Sequence, residues 1–147
     1  MNWKQEAVDK LRGYPLRRCS LDRLGEELER LEHEAARISA VETETERVSG
    51  SPAGSREDAL VNNIVLREEL QHARRSAALW VRQVDHALAQ LDDDSRRILE
   101  RLYLSRAPGS IDALCAELCM ERSTLYRRRD HALRQFTLSL YGALDQF

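Results

Sequence analysis

Apolar positions along this chain step by three and four almost throughout, the spacing of one face of an α-helix. From Ser20 onward, Leu21, Leu24, Leu28, Leu31, Ala35 and Ile38 make a heptad seam, which fades where Glu42 and Thr45 take the next positions. Charged residues fill the other faces, with Glu26–Arg30 and Arg30–Glu34 spaced as i,i+4 ion pairs. Ser20 opens this helix, and Asp22 and Glu26 suit its positive N-terminal end. A second seam, Leu60, Ile64, Leu66, Leu70, Ala73, Ala77, Trp80, Val84, Ala87 and Leu91, predicts a helix from about Arg56 to Leu91. Between the two lies Ser49-Gly50-Ser51-Pro52-Ala53-Gly54-Ser55, too rich in small residues, Gly and Pro to stay helical; Ser55 or Asp58 would cap the second helix. Upstream, Asn2 to Arg12 reads as a short helix with Ala7, Val8 and Leu11 on one side, broken at Gly13-Tyr14-Pro15, because a residue before proline is driven out of the helical region. Two heptad helices joined by a short loop predict an antiparallel, coiled-coil-like hairpin. A simple hairpin and one that also builds a dimer both fit this pattern.

The texture changes after Leu91. Asp92-Asp93-Asp94-Ser95 supplies a turn and an N-cap, and Arg96 to Leu104 follows as a short amphipathic helix. Ala107-Pro108-Gly109-Ser110 breaks it. Ile111 to Leu118 is another short helix with Ser110 as its cap, Cys119-Met120-Glu121 a tight turn, and Arg122 onward a last helix reaching at least Phe136. The predicted fold class is all-α: a long helical hairpin in residues 1–90, which also carries oligomerisation, followed by a helix–turn–helix domain in residues 91–147.

Three features carry that helix–turn–helix. Its two helices are about three residues apart. Leu114, Leu118, Met120 and Leu125 are placed to pack between them, with Cys115 small enough to let them approach. The second helix opens on polar and basic residues, the part that enters the major groove in this motif. Arg122, Ser123, Arg127 and Tyr126 are candidates for base edges or nearby phosphates. Thr124 suits a phosphate or a thymine methyl, and Arg128, Arg129 and Arg134 suit sequence-independent phosphate contact. Arg106 is a further backbone candidate. Blander readings stand beside these: a triple arginine on a helix is often a solvated face, Tyr126 can be structural, and the Arg128 stem can lie across the core with its head in water.

Net charge, at −2, looks wrong for a DNA binder, but the average hides a segregation. Residues 20–48 hold nine acids and four arginines, whereas residues 122–134 hold five arginines and one acid. Nearly all the positive charge is arginine, a planar fork suited to phosphate and guanine. Three cysteines, Cys19, Cys115 and Cys119, fit a reducing compartment better than a disulfide framework. Cys115 and Cys119 with His131 make an incomplete zinc site, so small buried thiols are expected. No catalytic constellation, metal site or cofactor motif stands out, and neither a signal-type N-terminus nor a membrane-length apolar run is present. A non-enzymatic, soluble intracellular protein without membrane partners is expected.

The stretch from Leu91 to Phe136 resembles region 4 of sigma-70-type factors. The resemblance rests on Arg97-Ile98-Leu99-Glu100-Arg101-Leu102-Tyr103-Leu104, Ile111-Asp112-Ala113-Leu114-Cys115, Ser123-Thr124-Leu125-Tyr126-Arg127 and Ala132-Leu133. With the hairpin and the loop at Val48–Pro52, the whole chain resembles the ArpU/RinA type of phage transcriptional regulator. That resemblance implies a phage or prophage protein in the cytoplasm of a bacterial host that controls late, structural or packaging gene transcription, usually as an activator. The leading reading is a sequence-specific regulator of double-stranded DNA; a homodimer would double its readout and explain the hairpin, and bacterial RNA polymerase is a further candidate partner. A small-terminase-like DNA-packaging subunit and a polymerase-binding module that touches no DNA are the competing readings. Two positions depart from the motif. Cys119 stands where the turn ordinarily carries Gly, and Glu121 where the recognition helix ordinarily has a Ser cap. A start at Arg122 and a start two residues later, capped by Ser123, are both compatible with this, and they turn different side chains outward.

Overall fold

The computed structural model describes residues 2–45, 53–105 and 107–142, and the side chains of all of these except 41–45 and 53. Among them every regular element is helical: α1 Trp3–Thr45, α2 Ala53–Ala89, α3 Asp93–Leu99, a π-helical turn Glu100–Leu104, α4 Ser110–Leu118 and α5 Arg122–Tyr141. The chain is therefore all-α, as its periodicity predicts. Among the described residues no helix is long and apolar enough to cross a membrane.

The first correction is at Pro15. No short N-terminal helix stands apart; α1 runs through the proline, and Ser20 lies in its interior rather than at a cap. Proline removes one hydrogen bond and crowds the preceding turn. Tertiary anchors on the same turns hold the helix through it. Ala7, Leu11 and Tyr14 are all buried, the Tyr14 hydroxyl donates to the Asp85 carboxylate, and Arg18 donates to Tyr14 Oη at 2.9 Å. The Tyr14 ring stacks on Trp80 at 6.5 Å. Burial, followed by the bond to Asp85, raises the pKa of the Tyr14 phenol.

Contacts divide the chain into two compact units: residues 1–18 with 79–147, and residues 19–78. This differs from a division at residue 90, because the start of α1 and the end of α2 supply core to the C-terminal helices. Leu11, Val84, Ile98, Leu99, Leu114, Leu125, Leu133 and Phe136 in this unit are all but sealed from solvent. Asp92 caps α3 by accepting from the Ser95 amide at 3.2 Å. Arg96 closes the other side of the junction, donating to the carbonyls of Leu88 and Leu91, both at 3.2 Å, at the end of α2.

The second unit is the antiparallel hairpin. Gly25 lies against Arg74, and Asn63 donates to the Leu31 carbonyl at 3.0 Å, so the numbering rises along α1 as it falls along α2. The α1 seam is as predicted, with Leu28 and Leu31 buried and Leu21, Leu24, Ala35 and Ile38 half-buried. The α2 seam here is shifted. Leu60, Asn63, Arg67 and Leu70 face inward, while Ile64 and Leu66 are exposed. Two polar residues on the buried face hid this register from a hydrophobic reading. Arg30 pairs with Glu34 at 3.3 Å as expected, and with Glu27 at 2.6 Å rather than Glu26. The loop at residues 48–52 lies outside the described residues, whereas Gly54, Ser55 and Asp58 are inside α2, which begins at Ala53 rather than after a Ser55 or Asp58 cap.

Candidate nucleic-acid interface

Helices α4 and α5 are held by a small core of Ile98, Leu114 and Leu125, with Leu102, Ile111, Cys115, Leu118 and Met120 packed around it. These include all the residues the sequence placed between the two helices. Cys119 takes the left-handed conformation at φ 52° and ψ 48°, and the Met120 amide donates back to the Cys115 carbonyl at 3.1 Å. This is a helix ending that glycine usually serves. The turn points Cys119 outward and leaves Cys115 half-buried, which corrects the expectation of two buried thiols. Gly109, at φ 77°, occupies the N-cap position of α4. Ser110 is already helical and bonds the backbone of Ala107 through its hydroxyl.

The open phase of α5 is resolved. Glu121 is extended, at φ −77° and ψ 159°, and α5 begins at Arg122 with no side-chain cap. The Leu125 amide closes the first turn on the Glu121 carbonyl at 2.9 Å, so the earlier amides of α5 have no intrahelical acceptor. Helix α5 runs to Tyr141, where Gly142 stops it at φ 79°.

That phase sorts the eight candidate residues. Ser123, Arg127 and Arg134 lie within about 40° of one another around the axis, at 3.6 residues per turn. All three are exposed, opposite the buried Leu125, Ala132 and Phe136. Thr124 and Arg128 flank this stripe on the α3 side, where Arg128 reaches Asp94 at 3.3 Å. With Asp92, Ser95, Arg127 and His131 they line a groove of about 430 Å³. Arg122, Tyr126 and Arg129 lie on the opposite flank. Arg122 is paired with Asp112 at 2.9 Å. Arg129 is largely withdrawn from solvent, lying 5.0 Å over the Tyr126 ring and 3.1 Å from Asp130. Arg106 lies outside the described residues.

Two carboxylates, Asp92 beside α5 and Asp130 on it, titrate below their ordinary range. The Ser95 hydroxyl and amide stabilise the Asp92 anion. At Asp130 burial opposes ionisation, but Lys4, 2.9 Å away, and Arg129 outweigh it. Sequence reasoning missed the acidic partners of the arginines: Asp94 and Asp112 are distant in the chain from Arg128 and Arg122.

Residues 37–137, from the end of α1 through most of α5, match a family profile described as a protein of unknown function, DUF1492. The chain belongs to the DUF1492 family. No curated protein and no solved structure matches it. The DUF1492 match takes in both the α2 arm and the helix–turn–helix, so the outward stripe of α5 lies within the family's own segment.

Proposed function

We propose that the chain is a sequence-specific, double-stranded-DNA-binding transcriptional regulator of the ArpU/RinA type. It acts on phage or prophage late genes, as a homodimer and without catalysis of its own. The observation that supports this best is the stripe Ser123–Arg127–Arg134 on the outer side of a helix–turn–helix. A major groove admits one α-helix, and side chains near that helix's N-terminus reach base edges. Ser123 and Arg127 are the readers in this scheme, and Arg134 and Arg128 hold phosphates. Arg122 exchanges Asp112 for a phosphate, and the uncapped amides of α5 favour an anion at the same end. Thr124, at the edge of the stripe, suits a backbone or thymine-methyl contact.

The test is binding to DNA from upstream of the chain's own coding region at several salt concentrations. Arg127→Ala is expected to weaken specific binding about tenfold or more. Arg134→Ala is expected to weaken specific and non-specific binding alike, and to lower the salt slope by about one. Equal losses from the two variants, or no binding at low salt, would overturn the assignment. A ring-sized mass in solution would favour the packaging reading, and polymerase binding without DNA the interaction-module reading.

A further inference from the structure

A cleft of about 650 Å³ opens on the flank of α5 away from the Arg128 groove, a size common for small-molecule sites. Its walls come from α1, the π-helical turn, the turn at residues 107–109, the first turn of α4, and α5. Arg12, Arg122 and Arg129 line it together with Asp112. Arg122 is paired with Asp112, and Arg129 with Asp130, which also holds Lys4, so the lining and its partners carry four cations against two carboxylates. Two phenol rings line it as well, and each carries an arginine: Arg12 lies 5.8 Å over Tyr103, and Arg129 lies 5.0 Å over Tyr126. Tyr103 stands in the π-helical turn, where the Ser105 amide reaches back five residues to the Glu100 carbonyl at 2.9 Å. Turns of this kind are uncommon and recur at functional sites.

The excess of guanidinium over carboxylate selects an anion, and arginine's planar fork suits phosphate oxygens in particular. The half-buried Tyr103 and Tyr126 rings, each with a guanidinium over it, add apolar area beside those cations on which a planar group can pack. A DNA duplex is convex and keeps its bases stacked, so it does not reach rings recessed in a cleft. A free nucleotide has the two halves that the cleft recognises. We infer that this cleft binds a nucleoside polyphosphate, with its phosphates on Arg12, Arg122 and Arg129 and its base against Tyr103 and Tyr126. Arg122 also belongs to the DNA reading above, so under that reading an occupied cleft withdraws one cation from DNA. Nucleotide binding itself does not depend on that reading.

The experiment is calorimetric titration of the full chain, without DNA, with ATP, GTP, CTP and UTP in turn, and with inorganic triphosphate. At least one nucleotide is expected to bind with a Kd of about 10 μM or tighter. Arg12→Ala and Arg129→Ala should each weaken it about tenfold, whereas Arg134→Ala should leave it unchanged. Circular dichroism and Tm confirm that each variant is folded, and the exposed Arg12 provides the variant least coupled to the core. Several outcomes overturn the inference: no binding by any of the four, an unchanged Kd in folded Arg12→Ala, or inorganic triphosphate binding as tightly as the nucleotide. A single-stranded oligonucleotide that displaces the nucleotide at far lower concentration would reassign the cleft to a nucleic-acid strand.

Discussion

Cys119 is the only non-glycine residue with positive φ among the described residues, and it joins the two helices of the helix–turn–helix. A side chain in the left-handed region costs about 1 kcal/mol relative to glycine. Cys119→Gly is therefore expected to raise stability by up to about 1 kcal/mol in denaturant unfolding while leaving the α5 stripe unmoved. Asp92 is a second residue with a local, measurable role. Its folded pKa is depressed, so its stabilisation is complete above the ordinary carboxylate pKa and is lost as pH falls through the lower folded value. Asp92→Asn keeps a good N-cap but cannot titrate. The variant should lose less stability than the parent as pH falls below about 4, with little change at neutral pH; an identical acid limb would show that Asp92 contributes nothing to it.

At the scale of elements, Pro15 is the informative position. Local rules end a helix there, and the cost they describe is real, yet α1 continues because Leu11 and Tyr14 are anchored by residues far along the chain. Pro15→Ala restores a donor to the Leu11 carbonyl and should raise stability by about 1–3 kcal/mol, read as a higher Tm. A lower Tm would mean that the proline shapes α1 in a way the surrounding packing requires. The α2 seam teaches a related lesson. Periodicity located the helix correctly, but Asn63 and Arg67 occupy its buried face near α1, and the apolar Ile64 and Leu66 are turned to solvent. Hydrophobic spacing identifies an amphipathic helix more securely than it identifies which of two neighbouring faces is buried.

For the molecule as a whole, the compact unit that carries the helix–turn–helix includes the first eighteen residues of the chain. Leu11 is completely buried there. Leu11→Ala should cost about 2–5 kcal/mol, the range for an emptied core leucine. Hydrogen exchange should then quicken in α3, α4 and α5 as well as in α1. Quickening confined to α1 would support instead a C-terminal domain that stands alone from residue 91. Charge shows the same interdependence. The basic character of α5 is plain from its arginines, but Asp94, Asp112 and Asp130 engage three of the five, leaving Arg127 and Arg134 as the exposed arginines of α5 without an acidic partner in the described structure.

The sequence alone determined the all-α class, the α1 seam, the helix–turn–helix with its packing residues, and the basic character of α5. Each of these is written in spacings of a few residues, where helix geometry and side-chain chemistry act directly. The tertiary structure decided the continuity of α1 through Pro15, the register of α2, and the membership of residues 1–18 in the C-terminal unit. It also decided the phase of α5, the partners of its arginines, and the cleft that Arg12 shares with Tyr103 and Tyr126. These depend on burial and contact between residues remote in sequence, where packing overrides local preference.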